Sequence, residues 1–211
     1  MRAKTKVIDP IDADPDGIST LASAAGAGTL DINGALALDG VYTGENARRI
    51  GILSTGDDSL VTFTVTGTDG DNKDISESLA GSSGAPGTVK TDAYFGSVTE
   101  VSISAASAST VAVGTVDELV TNTIPLDRIN HNAATISVED ITGDINYTVE
   151  ETFSDMQNAD VFEFYEVSQL TARTSAGLQD LNNHASGVRL RINSYTSGAD
   201  LKMVINQDRV R

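Results

Sequence analysis

Apolar and hydroxyl-bearing residues alternate along much of this chain with a period of two. In Val61-Thr62-Phe63-Thr64-Val65-Thr66 the apolar residues fall on one side and three threonines on the other. Val101-Ser102-Ile103-Ser104 and Val188-Arg189-Leu190-Arg191-Ile192-Asn193 repeat the pattern, and Leu201-Lys202-Met203-Val204-Ile205 reads as a further strand. Successive side chains of a strand point to opposite faces, so each run predicts a strand with one buried and one wet face. Val, Ile and Thr suit such a surface because branching at Cβ is tolerated there. Helical spacing is scarce. Val116-Asp117-Glu118-Leu119-Val120 and Val167-Ser168-Gln169-Leu170 each predict a turn or so of helix.

The punctuation agrees. Thr55-Gly56-Asp57-Asp58, Thr68-Asp69-Gly70-Asp71-Asn72, Thr142-Gly143-Asp144 and Thr196-Ser197-Gly198 are turn clusters between strand runs. Short strands spaced by roughly 8–12 residues point to a sandwich or barrel. The run Gly81 to Gly87 reads as a flexible loop inside one module, not as a boundary.

Two stretches look alike. Residues 50–66 and 136–150 both read as strand, Thr-Gly-Asp turn, strand, with Phe63-Thr64-Val65 answered by Tyr147-Thr148-Val149. Each copy is expected to close on a hairpin, Val101–Ile103 with Val111–Val113 and Val188–Ile192 with Leu201–Ile205. A diverged duplication gives this pattern, and so do unrelated hairpins of any β protein. The expectation is an all-β fold of two β-sandwich-like modules, residues 18–116 and 117–211, preceded by an extended N-terminal arm over residues 1–17. The boundary falls near residues 114–123.

Charge and composition narrow the chemistry. The 211 residues carry 14 Lys+Arg against 30 Asp+Glu, a net charge of -16, with no Cys and no Trp. Without Cys there is no disulfide, thiolate zinc site or Cys nucleophile. A negative field of this size argues against nucleic acid and against anionic membrane surfaces. No run approaches the ~18 apolar residues of a membrane helix. The basic start, Met1 to Lys6, is followed by no apolar stretch of the kind a secretory signal needs, so a cytoplasmic site of synthesis and assembly is expected.

Candidate chemical motifs read as ordinary surface. Asp12-Ala13-Asp14-Pro15-Asp16-Gly17 opens like a calcium loop, but position 12 of that loop is Ser23 and Pro15 restricts the backbone. Asp69-Gly70-Asp71-Asn72-Lys73-Asp74 suits a hairpin tip. His131 and His184 lie in polar loops without metal-ligand spacing, and no Gly-x-Ser-x-Gly elbow accompanies them. Ala25-Gly26-Ala27-Gly28 lacks the Lys and Ser/Thr of a phosphate loop. Glu150, Glu151, Asp155, Asp160, Glu163 and Glu166 read as a solvated acidic face, since sugar hydrolysis would need aromatic platforms beside the carboxylates. No catalytic residue, cofactor or metal is expected, and the chain is not expected to be an enzyme.

Basic residues gather toward the ends. Arg189 and Arg191 share a strand face, Arg209 and Arg211 follow, and Arg2, Lys4 and Lys6 open the chain beside Val7, Ile8 and Ile11. These are the candidate partner-binding residues. Basic ends meeting an acidic neighbouring subunit would set register and orientation.

The segments Phe63–Gly70, Ile75–Gly81 and Tyr94–Thr99, with Val101 and Ile103, resemble a β module of small virion proteins of tailed bacteriophages. Ile124–Asp127, Tyr147–Asp155 and Val188–Ile192 resemble such proteins in the second half. The resemblance implies a structural virion protein, most like a capsid decoration or cement protein on the outer surface of the shell. It implies as partners the major capsid protein and further copies of the chain, in a trimer or dimer. The arm would then lie across neighbouring subunits, reaching up to roughly 50 Å when extended. A tail, collar or head-fibre component is the alternative within the virion, and a carbohydrate- or surface-binding module the alternative outside it.

Overall fold

The computed structural model describes residues 2–126, 134–181 and 184–207. These residues form 17 strands and one 3-10 turn, Ser168–Leu170, the latter where Val167 to Leu170 predicted a turn of helix. The strands begin with β1 (Arg2–Ile8), β2 (Ser19–Ser23), β3 (Gly28–Thr29), β4 (Ala37–Leu38), β5 (Val41–Ser54), β6 (Thr62–Thr68), β7 (Asp74–Ala80) and β8 (Gly87–Lys90). They continue with β9 (Phe95–Ile103), β10 (Thr110–Val120), β11 (Ile124–Pro125), β12 (Ala134–Thr142) and β13 (Ile145–Thr152). The last are β14 (Phe164–Glu166), β15 (Gly177–Asp180), β16 (Gly187–Tyr195) and β17 (Asp200–Gln207). The fold is all-β, and its strands pair antiparallel among the described residues.

The chain divides into two compact units, Ala13–Val120 and Met1–Asp12 with Thr121–Arg211. The first unit orders its main strands β10-β5-β9-β6-β7, with β2 on β10, β3 on β9, and β4 and β8 on β5. Period-two alternation drives the burial. Phe63 and Val65 of β6 are fully buried, while Thr62, Thr64 and Thr66 lie on the other face. They join Ile18, Ile50, Ile52, Phe95, Val101, Ile103 and Val113 in one core. On the wet face, Thr64 bonds Ser78 at 2.8 Å and Thr66 bonds Ser76 at 3.1 Å, cross-strand hydroxyl pairs between β6 and β7.

The other unit has two sets of strands, β1-β17-β12-β15 and β14-β13-β16 with β11 on β16. Ile8, Ile136, Val138, Leu201, Met203 and Ile205 of the first set are buried, as are Ile145, Tyr147, Val149, Val188, Leu190 and Ile192 of the second.

Both units share one pattern of pairing. In the first, β5 pairs with β10 and β6 with β9. In the other, β12 pairs with β17 and β13 with β16. The Thr-Gly-Asp clusters therefore do not turn hairpins. They are corners that carry the chain from one pair to the other. The expected closing hairpins are corners too: β9 does not pair with β10, nor β16 with β17, among the described pairings. The two corners of each unit bond to each other. Thr55 N donates to Thr110 O at 3.0 Å in one, and Thr196 N to Asp144 O at 2.9 Å in the other. The cluster 68–72 does turn a hairpin, β6 to β7.

Two further expectations are corrected. Val116 to Val120 is not helical but the end of β10, with Leu119 opposite Arg48 and Val120 opposite Ala47. A register shift between Thr115 and Leu119 breaks the alternation there, and this produces the helix-like spacing. The first 17 residues are not a free arm. Residues 2–8 form β1, paired along its length with β17 from Arg2 opposite Gln207 to Ile8 opposite Leu201. The Ile11 carbonyl accepts from the Tyr195 hydroxyl and Asp12 Oδ2 from the Ser197 hydroxyl. Residues 13–17 belong to the other unit, where Thr115 N donates to Asp14 O at 2.8 Å. Gly114 makes room for them, since a Cβ there would sit 2.0 Å from Asp14 O. An unpaired polar segment leaves its backbone groups to water, whereas β17 offers this one a complete ladder.

Candidate functional site

The most elaborate polar arrangement lies on one face of β14-β13-β16, the face opposite Val149, Leu190 and Ile192. Alternation on β16 buries Val188, Leu190 and Ile192 and turns Arg189 and Arg191 to the opposite face. Register then sets Glu150 of β13 between Arg189 of β16 and Glu166 of β14. Arg189 Nε donates to Glu150 Oε2 at 2.7 Å, and Arg191 Nη1 to Glu150 Oε1 at 2.7 Å. Arg191 Nη2 reaches Glu166 Oε1 at 2.6 Å, and its Nε donates to Asn193 Oδ1. The Glu150 side chain is only 5% exposed. Two guanidinium groups share this carboxylate, which offsets the cost of withdrawing it from water. The Arg189 guanidinium also lies 3.4 Å from the centre of the Phe164 ring.

Beside this network is a group of aromatic side chains that the sequence reading passed over. Phe153 and Tyr165 pack with ring centres 5.7 Å apart and planes inclined by 55°. Phe162 and Phe164 meet edge to face at 6.4 Å. Phe153 is 36% exposed, Tyr165 51% and the neighbouring Val161 77%. The Tyr165 hydroxyl donates to Glu163 Oε2 at 3.1 Å, and this bond raises the phenol above its ordinary value. One signal in the sequence marks the patch: four of ten aromatic residues fall between positions 153 and 165.

The remaining candidates fall elsewhere. Lys4, Lys6, Val7 and Ile8 are on β1; Ile8 is core, Val7 is exposed, and Lys4 Nζ donates to the Pro125 carbonyl. Arg2 is placed on β1 opposite Gln207, and Ile11 is exposed. Arg209 and Arg211 lie outside the described residues, as does His131. Pairing of β1 with β17 brings opposite ends of the chain together, but Arg189 and Arg191 are on another strand set and take their acids from their own unit.

The acidic loops are built as turns. Asp69 Oδ1 accepts from Asp71 N at 2.8 Å and Lys73 N at 2.9 Å, with Asn72 at φ 61°. Asp14 Oδ1 accepts from Asp16 N at 3.3 Å. Among the described residues no three His, Asp or Glu side chains converge as a metal cage would. His184 is exposed in a turn. The run Ala25–Gly28 borders an open groove of about 360 Å³ floored by Ile103 and Val111. Among the described residues no helix is long and apolar enough to cross a membrane.

No family model matches the chain, and no curated protein matches it.

Proposed function

We propose that this chain is a structural protein of a tailed-bacteriophage virion, held on the outer surface of the capsid as a decoration or cement protein. The observation that carries the reading is where the resembling segments lie. Phe63–Gly70, Ile75–Gly81 and Tyr94–Thr99 fall on or beside β6, β7 and β9, which are neighbours in one sheet. Tyr147–Asp155 and Val188–Ile192 fall on β13 and β16, which pair with each other. The resemblance therefore follows paired core strands in both units, and does not rest on scattered loops.

Folding of β1 onto β17 changes how attachment is drawn. The opening segment is engaged by its own chain, so the attachment surface belongs to the folded units. The acidic charge keeps free subunits apart in solution until they assemble. The test has two parts. Quantitative mass spectrometry of purified particles should find the chain in numbers comparable to the major capsid protein. The purified chain should sediment with capsid shells that lack it. A few copies per particle would assign it to the tail or collar, and absence from particles would overturn the reading.

A further inference from the structure

Two strands at open edges complement each other in charge. β1 ends the set β1-β17-β12-β15, and β7 ends the set β10-β5-β9-β6-β7; neither has a strand on its outer side among the described residues. Each is seven residues long. β1 carries Arg2, Lys4 and Lys6 and no acid, while β7 carries Asp74 and Glu77 and no base. Lys4 Nζ donates to the Pro125 carbonyl. Among the described residues Lys6, Asp74 and Glu77 enter no ion pair. The Glu77 carboxylate accepts from the Asp92 and Ala93 amides at 2.8 Å, two donors that carry no charge.

The backbone fixes which groups each edge presents. Leu181 N donates to Ala134 O, continuing the register of β12 with β15. Bonding sides alternate residue by residue, so Thr135, Ser137 and Glu139 turn to β17, and Leu201, Met203 and Ile205 of β17 turn to β1. Their partners Ile8, Lys6 and Lys4 complete that ladder, which leaves the N–H and C=O of Ala3, Thr5 and Val7 at the open edge. At the end of β7, Gly81 N donates to Val61 O, and the same alternation leaves Asp74, Ser76, Ser78 and Ala80 at its edge. The side chains of both edge sets are exposed.

We propose that β1 of one copy pairs antiparallel with β7 of a second copy, Lys6 opposite Glu77, joining copies head to tail. In this register Thr5 meets Ser78 and Val7 meets Ser76, edge residue to edge residue, and Ile8 falls opposite Ile75. Lysines blunt an edge against its own kind. Two β1 strands paired about Lys4, Thr5 or Lys6 set lysine opposite lysine, which repels. An acidic strand of equal length removes that bar. Within one chain β1 and β7 belong to different units and do not pair among the described residues, which points to a second copy. Each joined pair leaves one β1 and one β7 open, so the contact repeats into a ring or a filament. The net charge of -16 opposes it at low concentration. The proposal rests on the two strands alone, so it and the virion reading fail separately.

The chain has no Cys, so introduced thiols report only their own contacts. Full-length Thr5→Cys and Ser78→Cys chains, tagged to differ in size, are mixed at rising concentration and oxidised with copper phenanthroline. Opposed bonded residues lie about 5.5 Å apart at Cα, within reach of a disulfide. The mixed disulfide should exceed either homodimer. Thr5→Cys mixed with Leu60→Cys, at a residue 96% exposed, should give only background. Lys6→Glu in the Thr5→Cys chain should cut the mixed product about fivefold, since like charges then face each other. Circular dichroism melts check that each variant is folded; should Lys6→Glu unfold the chain, the disulfide pattern among the other variants decides. A mixed yield no greater than the Leu60 background, or an excess of Thr5 homodimers, would overturn the proposal. Preferred capture of Leu178→Cys, on the open edge of β15, would overturn it in favour of that edge.

Discussion

Arg189 sets its guanidinium 3.4 Å from the centre of the Phe164 ring while its Nε donates to Glu150 at 2.7 Å. One planar group thus makes a stack and a charged hydrogen bond at once, which a lysine ammonium cannot do. Arg189→Lys should keep the charge and lower stability by about 1–2 kcal/mol, the stack and the oriented bond being lost together. Urea unfolding gives the number, and an unchanged midpoint would mean that the stack contributes nothing.

Glu150 is where the two arginines meet. Glu150→Gln should destabilise by about 2–3 kcal/mol, because two charges half withdrawn from water lose their shared partner. Glu166→Gln touches only Arg191 and removes a carboxylate that is 45% exposed, so it should cost under about 1 kcal/mol. The contrast between the two variants measures burial, since both remove one carboxylate charge and keep its shape.

Ile8 closes β1 against the core, opposite Leu201. Ile8→Ala should cost about 2–4 kcal/mol, the usual range for emptying a buried site. Removal of residues 1–8 should go further and strip hydrogen-exchange protection from the β17 amides that face β1. Full protection of β17 in the shortened chain would mean that β1 is not held there in solution.

Two carboxyls respond to pH in opposite directions. Asp16 is raised above its ordinary 3.8 by its hydrogen bond to Asp14, with slight burial and the Asp14 charge adding to it. The folded state therefore holds that proton more tightly than the unfolded one, and the stabilisation fades as pH rises through the raised value. Asp57 is lowered below 3.8 by hydrogen bonds from Ser59, so its contribution is present above 3.8 and fades as pH falls through the lowered value. Asp16→Asn should raise the melting temperature at neutral pH, and Asp57→Asn should lower it. Both differences should shrink in acid, and thermal melts across that range check the signs.

The strands themselves were legible in the sequence, because burial on one face imprints the period of two on residues such as Phe63, Val65, Leu190 and Ile192. Their partners were not. The Thr-Gly-Asp clusters look the same whether the chain turns back on its neighbour or crosses to another pair, since both corners need Gly and Asp. The shift between Thr115 and Leu119 imitated a helix because it interrupts a strand. Pairing of Lys4 with Ile205 leaves no local mark at either residue. Of the candidate site, Arg189 and Arg191 are legible from their shared face, and their charge alone points to acids on a neighbouring subunit. Glu150 and Glu166 supply them instead, through a register that only the folded strands define. The patch at Phe153 and Tyr165 was missed because residues 153–163 have no periodicity to read.

Placing β1 against β17 also orders events in time. Residues 13–120 emerge from a ribosome and can fold before any residue of β17 has been made. β1, synthesised before that unit, lacks its β17 partner through all of that interval. It waits as a basic strand with both edges open while residues 13–120 are made. In the cell, its companions during those seconds are whatever else binds such a strand, chaperones included.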